Sequence, residues 1–215
     1  MVRATATRRT GLPVEFAQAP MRTVRPADAA GVYAHPGTQM VRLERLGLLH
    51  KVAVGYYVVV PQDRIGTDWR PTIEATAAGV ATAALGAGRA VLMGVSAARL
   101  HNVVPRALGM AIVAVPDDRR DLKLRDRDGL VHFVERDTDV LDAELKTTDL
   151  GQCLVTTAEQ TMLDLAHRPN LGHVAEEAHA AIAALLPRCD EETLERLAGE
   201  QRLGAALTRV RRAAR

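Results

Sequence analysis

Thr38, Arg42 and Arg45 recur at i, i+4 and i+7, which places them on one face of a helix, with Gln39 beside them. Guanidinium forks suit guanine edges and phosphates, and a glutamine amide suits adenine, so this face has the chemistry of a helix that enters a DNA major groove. Met40, Leu43 and Leu46 supply an apolar stripe on the other side. An ordinary amphipathic helix with a solvated basic face has the same pattern, and spacing alone leaves both readings open.

Other candidate pairs are thinner. Ser96 and His101 have the residue types of a nucleophile and its base, but they lie five apart on an expected helix, with no third group to orient them. Ser96 reads more simply as that helix's N-cap. Asp164 and His167 are three apart, as an acid/base dyad or as a local surface hydrogen bond. Glu176 and His179 make half of a di-iron motif whose other half is missing. Cys153 and Cys189 match neither a zinc pattern nor a disulfide framework and read as reduced and structural. Gly86-Ala87-Gly88 lacks the Walker lysine of a phosphate loop.

The elements that must position the basic face follow from local signals. Pro36-Gly37-Thr38 starts a helix in which Thr38 can cap the amides, and Gly47 can end it in a left-handed turn. Leu48–Val52 and Tyr56–Val60 read as strands joined at Ala53-Val54-Gly55. Upstream, Leu12–Met21 predicts a first helix and Arg25-Pro26-Ala27-Asp28 opens a second. Three helices and a hairpin within about 60 residues describe a winged helix-turn-helix. His50, Lys51 and Tyr56 on the wing, with Arg22 and Arg25, are then expected at phosphates. Arg8 and Arg9 can reach a minor groove or remain a solvated tail.

Charge supports a polyanion partner at one end. Residues 1–60 hold eight Lys/Arg against three acids, a net of +5, so the remaining residues carry −3 of the chain's +2. The 215 residues and ordinary apolar fraction suit one large or two small domains. No apolar run reaches membrane-spanning length and the first residues lack a signal-peptide core, so the expected location is cytoplasmic, with no membrane partner.

After the polar connection at Pro61–Arg70, with Trp69 expected at the seam, a mixed segment follows. It reads as an alanine-rich helix over Pro71–Leu85, strands at Ala90–Met93, Ala107–Pro116, Leu122–Leu124 and Leu130–Val134, and several C-terminal helices. Asp128-Gly129 tips a hairpin, and the alternating charges before it read as a solvated loop. Thr156-Thr157-Ala158-Glu159-Gln160 reads as a capping box. The basic C-terminal run RVRRAAR reads as exposed, a possible secondary DNA contact. The expected fold class is α+β, with a DNA-binding unit over residues 1–62 and a second unit over 63–215.

Three blocks, LERLGLLHKVAVGYYVV, VLMGVSAARLHNVVPRALGMAIVAVP and VTTAEQTMLDLAHRP, together resemble the successive blocks of AbiEi antitoxins of type IV toxin–antitoxin systems, over roughly residues 12–190. The resemblance implies an N-terminal winged helix that represses its own operon at inverted repeats in double-stranded DNA. It also implies a C-terminal domain that counters a nucleotidyltransferase toxin, with Ser96, Arg99, His101, Arg106 and Asp164 in its matched blocks. Neutralisation by binding needs no cofactor. An enzymatic alternative, phosphoryl transfer to the toxin, would need ATP, a divalent metal and acids such as Asp117, Asp118 or Asp164. A repressor that answers a small effector, without a toxin, is a third reading.

Overall fold

A computed structural model describes residues 11–213. In the N-terminal part, α1 (Val14–Ala17) is four residues long rather than the helix predicted over Leu12–Met21. The chain breaks at Pro20 into a 3-10 turn, and Met21 and Arg22 take positive φ values of 50° and 48°. The predicted second helix is likewise only a 3-10 turn, Pro26–Ala29. Between the two turns lies β1 (Thr23–Val24), a strand that sequence reasoning missed.

The next segment follows its local signals closely. In α2 (Pro36–Arg45), Met40 and Leu43 are buried. Gly47, at φ 70°, ends the helix: the Leu48 N–H bonds the Leu43 carbonyl at 3.0 Å and the Gly47 N–H bonds the Glu44 carbonyl at 2.9 Å. That is the Schellman pattern, and it needs a residue tolerant of the left-handed region. The helix starts two residues before Thr38, with His35 at the N-cap and no side-chain cap. The hairpin is formed by β2 (Leu49–Ala53) and β3 (Tyr56–Val59), with a register shift between Lys51 and Ala53. β1 adds to β3, completing a three-stranded sheet in the order β1-β3-β2.

Alternation along this sheet decides where it packs. Leu49, Tyr57 and Val59 join Phe16, Met40 and Leu43 in one core. Val52 and Val58 join a second core with Ile73, Ala77 and Val80. Both faces of the hairpin are therefore covered. Residues from both sides of position 62 share the second core, and Trp69 packs against it.

The supplier of that second core is α3 (Ile73–Leu85), capped by Thr72, whose hydroxyl accepts from the Ala75 N–H. It is buried from Ile73 to Ala81, and its small residues let sheets approach on both sides. Beneath it lies a six-stranded mixed sheet of β4 (Val91–Leu92), β5 (Met110–Val115), β6 (Leu122–Lys123), β7 (Leu130–Glu135), β8 (Ala143–Thr148) and β9 (Gly151–Thr156), in the order β6-β7-β5-β4-β9-β8. The β4–β9 and β5–β7 pairs are parallel and the others antiparallel. The predicted β6–β7 hairpin forms, whereas β8 and β9 were not anticipated. In β5, Ala111 and Val113 face α3 while Ile112 and Ala114 face the opposite core.

That opposite face carries α4 (Gly94–Leu100), α5 (Ala158–His167), α6 (Ala175–Leu185), α7 (Glu191–Glu200) and α8 (Gly204–Ala213). The fold class is α+β. Among the described residues, no helix is long and apolar enough to cross a membrane.

Candidate nucleic-acid interface

Burial of Met40 and Leu43 fixes the rotation of α2, and with it the direction of the basic stripe. Thr38, Arg42 and Arg45 are exposed and Gln39 is half-buried. Arg42 makes only a marginal 3.5 Å contact with Gln39 Oε1. Lys51 of the hairpin has its Nζ 5.4 Å from the centre of the Tyr57 ring. Arg22 is exposed, while Arg25 is held by Asp28 at 2.8 Å on the adjoining turn. Arg8 and Arg9 lie outside the described residues.

Two predicted wing contacts face the body instead. His50 Nε2–H donates to Asp126 Oδ2 at 2.9 Å. Tyr56 packs against the core under α3. The charged loop before Gly129 is accordingly not a solvated tip. The Asp126 side chain is 3% exposed, Arg127 bonds it at 2.8 Å, and Arg70 donates to its backbone carbonyl at 2.9 Å. The Arg125 N–H bonds the Val52 carbonyl at 2.8 Å, which stitches this loop to β2.

The predicted residues of the body are mostly internal. Ser96 is not an N-cap: α4 begins at Gly94 after Met93, and the buried Ser96 hydroxyl accepts from the Ile112 N–H at 2.8 Å. His101 donates from Nε2 to the Thr156 carbonyl at 2.8 Å, and burial holds its imidazole below the usual range. No hydrogen bond joins Ser96 to His101 among the described residues, so the nucleophile pair is not assembled. Arg99 reaches from α4 to buried Glu74 of α3 and to the carbonyl of Arg106. Arg106 itself pairs with Glu177 of α6.

Asp164 does not pair with His167. It is buried, and its Oδ1 accepts from Arg136 Nη1 at 3.3 Å and Gln160 Nε2 at 3.2 Å, while Oδ2 has no partner among the described residues. Burial pushes its carboxyl up to about 6, against the opposing pull of Arg136. Arg136 and Gln160 both donate to Gln201 Oε1, at 3.2 and 3.0 Å, and Gln201 donates to the Val140 carbonyl. This network ties β7, α5 and the end of α7 together. Arg136 and Gln201 were not singled out from sequence; the signal was the unbroken apolar neighbourhood of Asp164 in Met162-Leu163-Asp164-Leu165-Ala166.

Asp117 and Asp118 line a groove with Tyr56 and Val80 on the α3 side of the large sheet, away from the helix layer that holds Asp164. Among the described residues, no three His, Cys, Asp or Glu side chains converge as metal ligands. Both cysteines are free thiols. At the C-terminal end, Arg211 pairs with Glu191 and Glu195, and Arg209 donates to the Ala166 carbonyl at 2.8 Å, so much of the basic run is engaged within the molecule.

No protein-family model matches the chain, and no curated protein matches it. Among solved structures it is similar to the RV2827C protein from Mycobacterium tuberculosis, with a TM-score of 0.55 and 19% sequence identity, over 93% of this chain and 78% of that one. At that identity the likeness is one of fold.

Proposed function

We propose that this chain is a DNA-binding antitoxin of the AbiEi type, whose N-terminal unit is a winged helix-turn-helix that represses its own operon. The observation that carries the reading is the exposed Thr38–Arg42–Arg45 stripe on a helix locked in rotation by Met40 and Leu43. Thr38, Gln39, Arg42 and Arg45 read base edges, while Arg22 and Lys51 hold phosphates. Arg25 can join them by exchanging Asp28 for a phosphate oxygen. His50 and Tyr56 leave the contact set because both are engaged with the body.

The body counters a nucleotidyltransferase toxin by binding, either occluding the toxin or competing at its target. The separation of Asp117 and Asp118 from Asp164 favours this over phosphoryl transfer, which requires acids gathered around one phosphoryl group. Intact-mass measurement of the toxin after incubation with this protein and ATP distinguishes the two, since a transferred phosphoryl group would add mass.

DNA binding is tested by titrating a labelled duplex from the region upstream of the gene, at salt from about 50 to about 200 mM. Three phosphate contacts, from Arg22, Lys51 and Arg25, predict roughly a fortyfold loss of affinity across that range. Absence of binding at the lower salt, or binding indifferent to salt, would contradict the reading.

A further inference from the structure

β8 is the outer strand of the large sheet. It pairs with β9 from Ala143↔Thr156 to Thr148↔Gly151 without a register shift. Among the described residues, no backbone hydrogen bond satisfies its other edge. An unpaired edge of six residues is a template for another strand, and proteins commonly blunt such edges with proline, a bulge, a cover or charged side chains, lysine above all. The sequence AELKTT contains no proline, the pairing has no bulge, and Leu145 at its middle is 63% exposed.

The edge does carry charges, and their pattern decides which strands it repels. Glu144 and Lys146 flank Leu145 and, being two apart, share one face of the sheet, where they form a 3.0 Å ion pair. Leu145 points to the other face. We propose that β8 is a self-pairing edge, on which a second copy of this chain docks antiparallel about a two-fold axis through Leu145. In that register Glu144 lies opposite the partner's Lys146, Lys146 lies opposite the partner's Glu144, and the two leucines meet on the reverse face. Moving the axis to Glu144 or to Lys146 sets like charges directly opposite each other, which disfavours those registers. The strand is thus complementary to itself in one register and repels itself in the two neighbouring ones, which a strand from an unrelated protein would have no reason to match. An apolar groove of about 350 Å³, lined by Pro20, Met21, Leu92, Leu145 and Leu154, opens beside the edge and extends the surface a second copy can cover. Two short strands bury less than a standard interface, which places the dimer among the weak ones and sets the search at micromolar concentrations and above. The inference stands apart from the DNA reading, although a two-fold dimer would match an inverted repeat.

Sedimentation velocity on the full chain without DNA, from about 1 to about 200 µM, tests it. The wild type is expected to shift from monomer to dimer across that range. Glu144→Lys and Lys146→Glu should each weaken the dimer at least about tenfold, because each turns two attractive pairs into repulsive ones. The double variant E144K/K146E should regain affinity to within about threefold of wild type. Leu145→Lys, at a position open to solvent, provides a second disruption should a charge reversal impair folding. A wild type that stays monomeric throughout, a dimer indifferent to the single reversals, or a double variant no tighter than the singles would overturn the proposal.

Discussion

His50 of the hairpin donates from Nε2 to Asp126 Oδ2 at 2.9 Å, so the strand that sequence reasoning placed on DNA is tied through its side chain to the loop before β7. With the Arg125 N–H on the Val52 carbonyl, this clamps the small sheet to the large one. The basic helix therefore adjoins a sheet that is joined to the body by these bonds and by a shared core, and not by the polar connection alone.

That clamp has a pH signature. Burial alone would raise the Asp126 carboxyl, but hydrogen bonds from His50 and Arg127 hold it down to about 2. Because the folded value lies below the unfolded one of about 4, the stabilisation is fully present above about pH 4 and is lost as pH falls through about 2. Asp126→Asn should cost about 1–3 kcal/mol near neutrality and flatten the acid limb of urea-denaturation stability measured from about pH 2 to 6. An acid limb that superposes on that of the wild type would show that the clamp carries no charge-dependent energy.

The close approach of α3 to β1 is tested at Gly79. A Cβ built there would lie 2.3 Å from Thr23 Oγ1. Glycine to alanine inside a helix ordinarily gains up to about 1 kcal/mol. Here overpacking should reverse the sign and cost about 1–3 kcal/mol. Adding Thr23→Ala removes the obstructing hydroxyl, at the expense of its 2.8 Å bond to the Met21 carbonyl, and should recover part of the loss. Calorimetric melting of the two variants reads this directly; a single variant as stable as wild type would mean that β1 does not rest on α3.

Asp164 gives the opposite pH sign. Its carboxyl is raised to about 6 by burial, so the folded state favours the protonated form. Its contribution is fully present below about pH 4 and is lost as pH rises through about 6. Asp164→Asn keeps a hydrogen-bonding amide without the buried charge. It should remove a pH-dependent term on the order of 2 kcal/mol between about pH 4 and 6. Chemical denaturation at both ends of that window measures it, and an unchanged slope would place the proton elsewhere.

What could be read in the sequence was what is settled within a few residues. Gly47 announced its turn because the bonds that close it span only Leu43 to Leu48. Asp128-Gly129 likewise marked the β6–β7 hairpin. β1 was not legible, since two residues carry no periodicity and their partners, Val58 and Tyr57, lie far along the chain. Ser96 looked like a cap because it stands near a helix start; its actual role, receiving the Ile112 N–H, depends on a strand sixteen residues away. Asp126 fell in a loop read as solvated, and Asp164 read as half of a dyad with His167 or as a surface hydrogen bond. Their burial is set by His50, 76 residues distant, and by Arg136, 28 residues distant, and no local pattern records such partners. The basic face of α2 was readable because its own apolar stripe fixes its rotation, whereas the wing contacts failed because nothing in the hairpin reveals that its second face is covered.

The central claim, that α2 reads DNA, is tested most directly by fluorescence-anisotropy titration of wild type and Arg42→Ala against the upstream duplex and an unrelated duplex of equal length. Arg42 is exposed and has no strong partner among the described residues, so the fold should melt unchanged. A lost bidentate base contact should cost about 1–3 kcal/mol, roughly five- to 150-fold, on the upstream duplex and far less on the unrelated one. Equal affinity of the two proteins for the upstream duplex, or no preference of the wild type between duplexes, would contradict the account.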